Sequence, residues 1–248
     1  MREAGRRYSR IVIVVVVLAA LAAGVVWGVP RLLERVGVGS SALPWAAPCS
    51  VDLGDESVSL SREEARRATT AVALRERGED PPDVSDIDPA VVERLRKGPV
   101  RDAGPSLTCR VSAGDDLAEE EMTDSGLTPR AERVREEMGE VFGEQRLGGF
   151  APGGIDEGHG ENSAHYQGRA IDVFYRPVNE ENRREGWLLA HWLVAHAAEL
   201  DIAVVIFDDR IWSVRGSPAG WRDYDSPDPD NEILRHLDHV HVDVRAGG

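Results

Sequence analysis

The chain has 248 residues, 42% of them hydrophobic, enough for one good core plus an extra segment and too apolar for a disordered protein. Its formal net charge is −15, and since residues 1–35 carry six Arg against two Glu, a local +4, the remainder carries −19. Such a surface is repelled by nucleic acid and by anionic lipid, so no nucleic-acid partner is expected. Two cysteines, Cys49 and Cys109, occur without any C-x-x-C pattern, which leaves either one disulfide or two buried thiols, depending on compartment.

In chain order, Ile11 to Val29 comes first, a run without a charge that follows Arg2, Arg6, Arg7 and Arg10. As a helix rising about 1.5 Å per residue it just crosses a hydrocarbon layer of roughly 30 Å. The basic flank puts the N-terminus in the cytoplasm and the rest of the chain outside, so a single-pass cell-membrane protein is expected. The rival reading is a cleaved signal peptide, with small residues at Ala20, Ala22 and Ala23, which would make the protein secreted. Either way the remaining chain is exported, which favours the Cys49–Cys109 disulfide. Residues 1–35 are thus read as cytoplasmic tail and transmembrane anchor.

Residues 36–60, broken by Gly37, Gly39, Pro44 and Pro48, read as a stem. Ser61-Arg-Glu-Glu64 is a capping-box pattern opening a short amphipathic helix that stops at Gly78. Asp88-Pro89 opens another that stops at Gly98. Acidic, Pro-rich pieces surround both, so residues 61–125 read as a small helical segment and linker. Thr128-Pro129 begins a more regular helix, with Ala131, Val134, Met138 and Val141 on one face and Gly143 at its end, and here a domain covering 126–248 starts. Within it, Leu147 to Phe150 suits a short strand, Ala170 to Phe174 a strand, Glu180 to Leu200 a helix, and Ala203–Phe207 with Ile211–Val214 a hairpin. A polar loop, 216–230, precedes the last strand, His239 to Val244, whose valines face a core while His239 and His241 face the other way. The expected class is α+β: a small antiparallel sheet flanked by helices, preceded by the anchor and the helical segment.

Two short clusters hold four of the seven histidines. Ser163-Ala-His165-Tyr-Gln-Gly168-Arg-Ala170-Ile-Asp172 places an imidazole and a carboxylate around a Gly that permits a bend, and both groups are good zinc donors. The second cluster, Arg235 to Val244, contains His236, His239 and His241. Pairing the strands that carry Asp172 and His241 would assemble a His2Asp site with one open position, the arrangement of a catalytic rather than a structural zinc. His191 and His196, five apart on one helix, point about 140° apart and read as packing or surface histidines.

At these residues the chain resembles the zinc peptidases of the LAS group, which comprises lysostaphin-type enzymes, D-Ala-D-Ala metallopeptidases and hedgehog-type domains. Ser163-x-His165-x-x-Gly168-x-Ala170-x-Asp172 matches the S-x-H-x-x-G-x-A-x-D signature of the D-Ala-D-Ala branch. Asp238-x-x-His241 resembles its second signature, with Asp in place of the commoner Glu, and His239-x-His241 is similar to the murein endopeptidase variant. The run from Leu127 through Trp212, Trp221 and Tyr224 to Val244 looks like the C-terminal domain of secreted actinobacterial proteins of this type. The resemblance implies one Zn2+ per chain on His165, Asp172 and His241. It implies Asp238 as the catalytic base, with His239 supporting catalysis beside the metal, and Ser163, Arg169, Arg210 and Trp212 on the substrate side. The substrate class implied is peptidoglycan stem or cross-link peptides, which an external, membrane-tethered domain would meet. Ala151 stands where a basic residue is expected, so exo- versus endo-cleavage stays open. The alternative is a zinc-stabilised binding module without peptidase activity.

Overall fold

The first strands form where Pro- and Gly-bounded stretches leave only three or four residues free to pair. In the computed structural model, which describes residues 47–99, 105–112, 117–151, 159–160 and 162–248, β1 (Cys49–Asp52) and β2 (Ser57–Leu60) make a hairpin. β3 (Leu107–Cys109) adds to the other side of β1, with Cys49 directly opposite Cys109 and the two joined as a disulfide. The stretch read as a stem therefore becomes sheet from Cys49 onward. Strands of three or four residues are too short to show a period, and β3 pairs with residues far away in sequence. The apolar run Ile11–Val29 lies outside the described residues, and among those no helix is long and apolar enough to cross a membrane.

The helices form where their caps predict. α1 (Arg62–Glu76) starts at a capping box in which Ser61 and Glu64 exchange side-chain and backbone bonds. α2 (Pro89–Lys97) has Asp88 as its cap and Pro at its first turn, and α3 (Pro129–Phe142) follows Thr128. After β4 (Leu147–Gly148), a short 3-10 turn (Ala164–Gln167) and β5 (Ala170–Phe174) comes α4 (Glu180–His196). Then come β6 (Ile202–Phe207), β7 (Arg210–Ser213), β8 (Arg222–Asp223) and β9 (His239–Val244). Asp208 and Asp209 link β6 to β7 with φ of 52° and 59°, the positive values that a two-residue type I′ hairpin turn requires.

Architecture is α+β, with antiparallel sheets of three and six strands in the orders β2-β1-β3 and β4-β5-β9-β6-β7-β8. Between them runs α4, buried at every residue from Gly186 to Ala195. One face meets the large sheet so closely that a Cβ on Gly186 would lie 2.3 Å from the Phe207 ring. Its other sides meet α1, α2 and β3, and the Trp192 indole donates to Thr70 Oγ1. The Trp212 and Trp221 indoles likewise donate to the carbonyls of Cys109 and Leu107. The described residues of 61–110 cover one side of a core shared throughout 47–248, which form one compact unit.

Candidate metal centre

Sheet register brings the two histidine clusters together. β5 and β9 pair antiparallel with Asp172 opposite His241, Phe174 opposite His239 and Ala170 opposite Asp243. Directly opposed residues share a face, so the valines of β9 enter the core beneath α4 while His239, His241 and Asp243 stand with Asp172 on the other face.

His165 arrives from the 3-10 turn. Ser163 caps that turn, its hydroxyl oxygen accepting from the His165 N–H at 3.3 Å. Gly168 ends it in the left-handed conformation at φ 62°, where an added Cβ would lie 2.6 Å from the Gly126 carbonyl oxygen, so glycine is needed both for the turn and for the close approach. The imidazole is set by Gly149, whose carbonyl oxygen is 2.7 Å from Nδ1. A Cβ on Gly149, which sits at φ 79°, would lie 2.4 Å from the His165 ring and 2.9 Å from Asp172 Oδ2. The double glycine at 148–149 is thus a cradle for the site.

His165, Asp172 and His241 are all buried and form a group able to hold a metal ion. Nε2 of His165 is 3.1 Å from Nδ1 of His241, which is 3.1 Å from Oδ1 of Asp172, and the third edge, His165 Nε2 to Asp172 Oδ1, is 3.4 Å. Donors 2.0–2.1 Å from a tetrahedral ion lie about 3.3 Å from one another, so these edges match such a face. Proton counting points the same way. Because the Gly149 carbonyl can only accept, Nδ1 of His165 carries its proton, and in the neutral ring Nε2 offers a lone pair. Asp172 Oδ1 offers another. Nδ1 of His241 touches both and has at most one proton for two acceptors, whereas a cation between the three satisfies every lone pair.

Without a cation, electrostatics keep Asp172 and His241 charged. Burial pushes the Asp172 carboxyl upward, but its contacts with His165 and His241 outweigh that and hold it far below the usual carboxylate range. Burial likewise depresses His241, but the carboxylates of Asp172 and of Asp243, whose Oδ2 is 3.8 Å from Nε2, win and raise it to about 9.

Beside this triangle stands a second pair. Asp238 has both oxygens engaged, Oδ1 accepting from His239 Nδ1 at 2.7 Å and Oδ2 from Arg176 Nε at 2.5 Å. Burial raises its carboxyl, and the bonds from His239 and Arg176 bring it below its ordinary value. Nε2 of His239 is 3.7 Å from Asp172 Oδ1. The ring next to the triangle is therefore that of His239, with Asp238 behind it, as strand parity requires. His236 completes the wall, its ring 4.7 Å from that of His239 and 5.7 Å from that of His241, with Tyr224 edge-on at 4.9 Å. Burial and the neighbouring His241 and His239 lower the His236 pKa to about 3. His159 stacks on His165 at 4.1 Å. The sequence reading gave no role to Gly149, Arg176, Asp243, His159 or His236; the only signals for them are the glycine run and the third histidine of the C-terminal cluster.

Arg169, Arg210 and Trp212 do not reach this face. Register sets Arg210 opposite Phe207 and Trp212 opposite Val205, the partners that point toward α4. Trp212 is fully buried there, and Arg210 pairs with Asp223 at the rim of a cavity of about 350 Å³ that Arg183, Asp208 and Arg235 also line. The Arg169 guanidinium is taken up by Gln167 Oε1 and the Val244 carbonyl. His191 is buried with Nε2 accepting from the Ser106 N–H, and His196 packs on Trp192. Both belong to the core around α4.

No curated protein and no solved structure matches the chain significantly. Residues 123–232 match the family model described as VldE, C-terminal domain, a span that contains His165 and Asp172 and ends before Asp238, His239 and His241.

Proposed function

We propose that the chain is an exported, membrane-tethered zinc peptidase that hydrolyses peptide bonds of peptidoglycan stems or cross-links. The observation that carries this reading is the buried triangle of His165 Nε2, Asp172 Oδ1 and His241 Nδ1, with the His239 imidazole beside it. A two-histidine, one-carboxylate set suits zinc and leaves a fourth position open. When bound, zinc supplies Lewis acidity, drawing the pKa of a water toward about 7 and polarising a substrate carbonyl. The protein supplies the rest. Asp238 fixes the His239 tautomer with Nδ1 protonated, so Nε2 faces the site with a lone pair and can take a proton from the attacking water and return it to the leaving amine. Arg176 holds Asp238 in place. This assigns the base to His239 and orientation to Asp238, and Ser163 acts through the turn that carries His165. The resemblance of the Ser163–Asp172 stretch to the D-Ala-D-Ala branch supports the substrate class.

The test is zinc content and cleavage of purified muropeptides by the full chain. About one zinc per chain is expected, with His165→Ala losing metal and activity together. His239→Ala should keep its zinc while kcat falls about 10²- to 10⁴-fold, the usual contribution of a general base. A native protein without zinc would sink the reading. Zinc with no cleavage of any muropeptide would leave a zinc-stabilised binding module.

A further inference from the structure

The register of the large sheet lines up one row of residues from edge to edge on the metal-bearing face. Gly148 is opposite Asp172, Asp172 opposite His241, His241 opposite Ile206, Ile206 opposite Ile211, and Ile211 opposite Arg222. All six share the face because direct partners do. Two metal ligands lie toward one end, two isoleucines continue the row, and an arginine closes it. Tyr224, just past the end of β8, packs edge-on against the His236 ring beside the metal ligands, so the β8 end and the metal end border one surface.

Arg222 differs from most arginines of this acidic chain. It is exposed, and its guanidinium rests on Ser213 Oγ at 3.2 Å; among the described residues it makes no ion pair. Its neighbour Asp223 points to the opposite face and pairs with Arg210. Ser213 is opposite Val204, which is opposite Asp243, so the guanidinium lies over the metal-bearing face two strands from β9. Val204, Ile211 and Ser213 around it are only half-buried. Strands about 4.8 Å apart put it on the order of 10–15 Å from the metal ligands, the length of three or four extended residues.

We infer that Arg222 is a specificity-determining residue that binds a substrate carboxylate three or four residues from the bond at the metal site, the intervening peptide lying across the half-buried Val204 and Ile211. The inference rests on the peptidase reading and adds the substrate's charge and its spacing. The ligand is an anionic peptide: an arginine fork matches a carboxylate in two parallel hydrogen bonds, and among the described residues no acid pairs with it.

The experiment uses the zinc-loaded full chain and purified disaccharide-pentapeptide stems whose stem carboxylates are either free or amidated, with binding and cleavage measured separately. The free-carboxylate stem should bind 10- to 100-fold more tightly, with the difference in KM and little change in kcat. Arg222→Gln should erase that preference, Arg222→Lys should keep part of it, and Arg75→Gln on α1 should leave it intact. Preferred binding of the free stem without cleavage would support the anion site and sink the peptidase reading. Cleavage of both stems with equal KM would overturn the anion site and leave that reading standing. Binding of neither stem, or an Arg222→Gln loss that is equal for both, would also overturn it.

Discussion

At the scale of single residues, the site is an exercise in fixing tautomers. Gly149 accepts from one nitrogen of His165 so that the other faces His241, and Asp238 does the same for His239. Gly149→Ala should therefore cost more than a backbone change alone, because the new Cβ lies within 2.4 Å of the His165 ring at a positive φ. A loss of zinc affinity of 10-fold or more, with a correctly folded chain by circular dichroism, is expected. Metal uptake should also depend on pH. In the metal-free protein His241 holds its proton up to about pH 9, and that proton must leave before Nδ1 can ligate. Zinc affinity should then rise about tenfold per pH unit from pH 6 to 8. Competition titrations would show this, and calorimetry in buffers of different ionisation enthalpy would count about one proton released. His165, Asp172 and His241 were legible because the donor types and Gly168 stand in one short pattern. That the His239 ring rather than the Asp238 carboxylate stands next to the triangle was readable only from strand parity, and the contacts of Gly149 and Arg176 not at all, since they depend on where distant loops settle.

At the scale of elements, helices were readable and the small sheet was not. Ser61 and Asp88 cap their helices and Pro129 opens the next, so all three are announced locally, and α4 carries enough apolar residues to declare itself. β1, β2 and β3 hold three or four residues each, too few to show a period, and β3 joins the β1–β2 hairpin only by pairing with residues far away in sequence, which no local pattern records. Gly186 in α4 shows propensity and packing pulling apart. Replacing a mid-helix glycine by alanine ordinarily stabilises by up to about 1 kcal/mol. Here the Cβ would strike the Phe207 ring, and overpacking of this kind costs about 1–3 kcal/mol. Gly186→Ala should accordingly lower the urea midpoint without changing the slope of the transition.

The whole molecule folds as one unit from residue 47 to the end, so its parts are not separable. A fragment of residues 120–248 lacks β1–β3, α1 and α2 and exposes the outer sides of α4; it should show no cooperative unfolding by circular dichroism, where the intact chain does. Cys49 and Cys109 close a loop of sequence separation 60, and chain-entropy reasoning assigns such a crosslink about 4 kcal/mol. Reduction should lower the melting temperature accordingly. Acid should destabilise the same core. Burial lowers the His191 pKa to about 3, below its ordinary 6.5, so between those values the unfolded chain binds a proton that the folded one refuses. Stability present above pH 6.5 is lost as pH falls, by roughly 2 kcal/mol from this residue at pH 5. His191→Gln should flatten that part of the stability–pH curve.

The pairing of β9 has a consequence for how the chain finds its fold. A strand of strict alternation has two faces and, shifted by one residue, would turn His239 and His241 into the core and Val240 and Val242 outward. Hydrophobicity opposes the shift from one side of the sheet. A cation held between Asp172 and His241 would oppose it from the other, since the observed register sets those two side by side. The ion would then act as a proofreader of strand alignment, rejecting from the opposite face the same error that the valines reject from within.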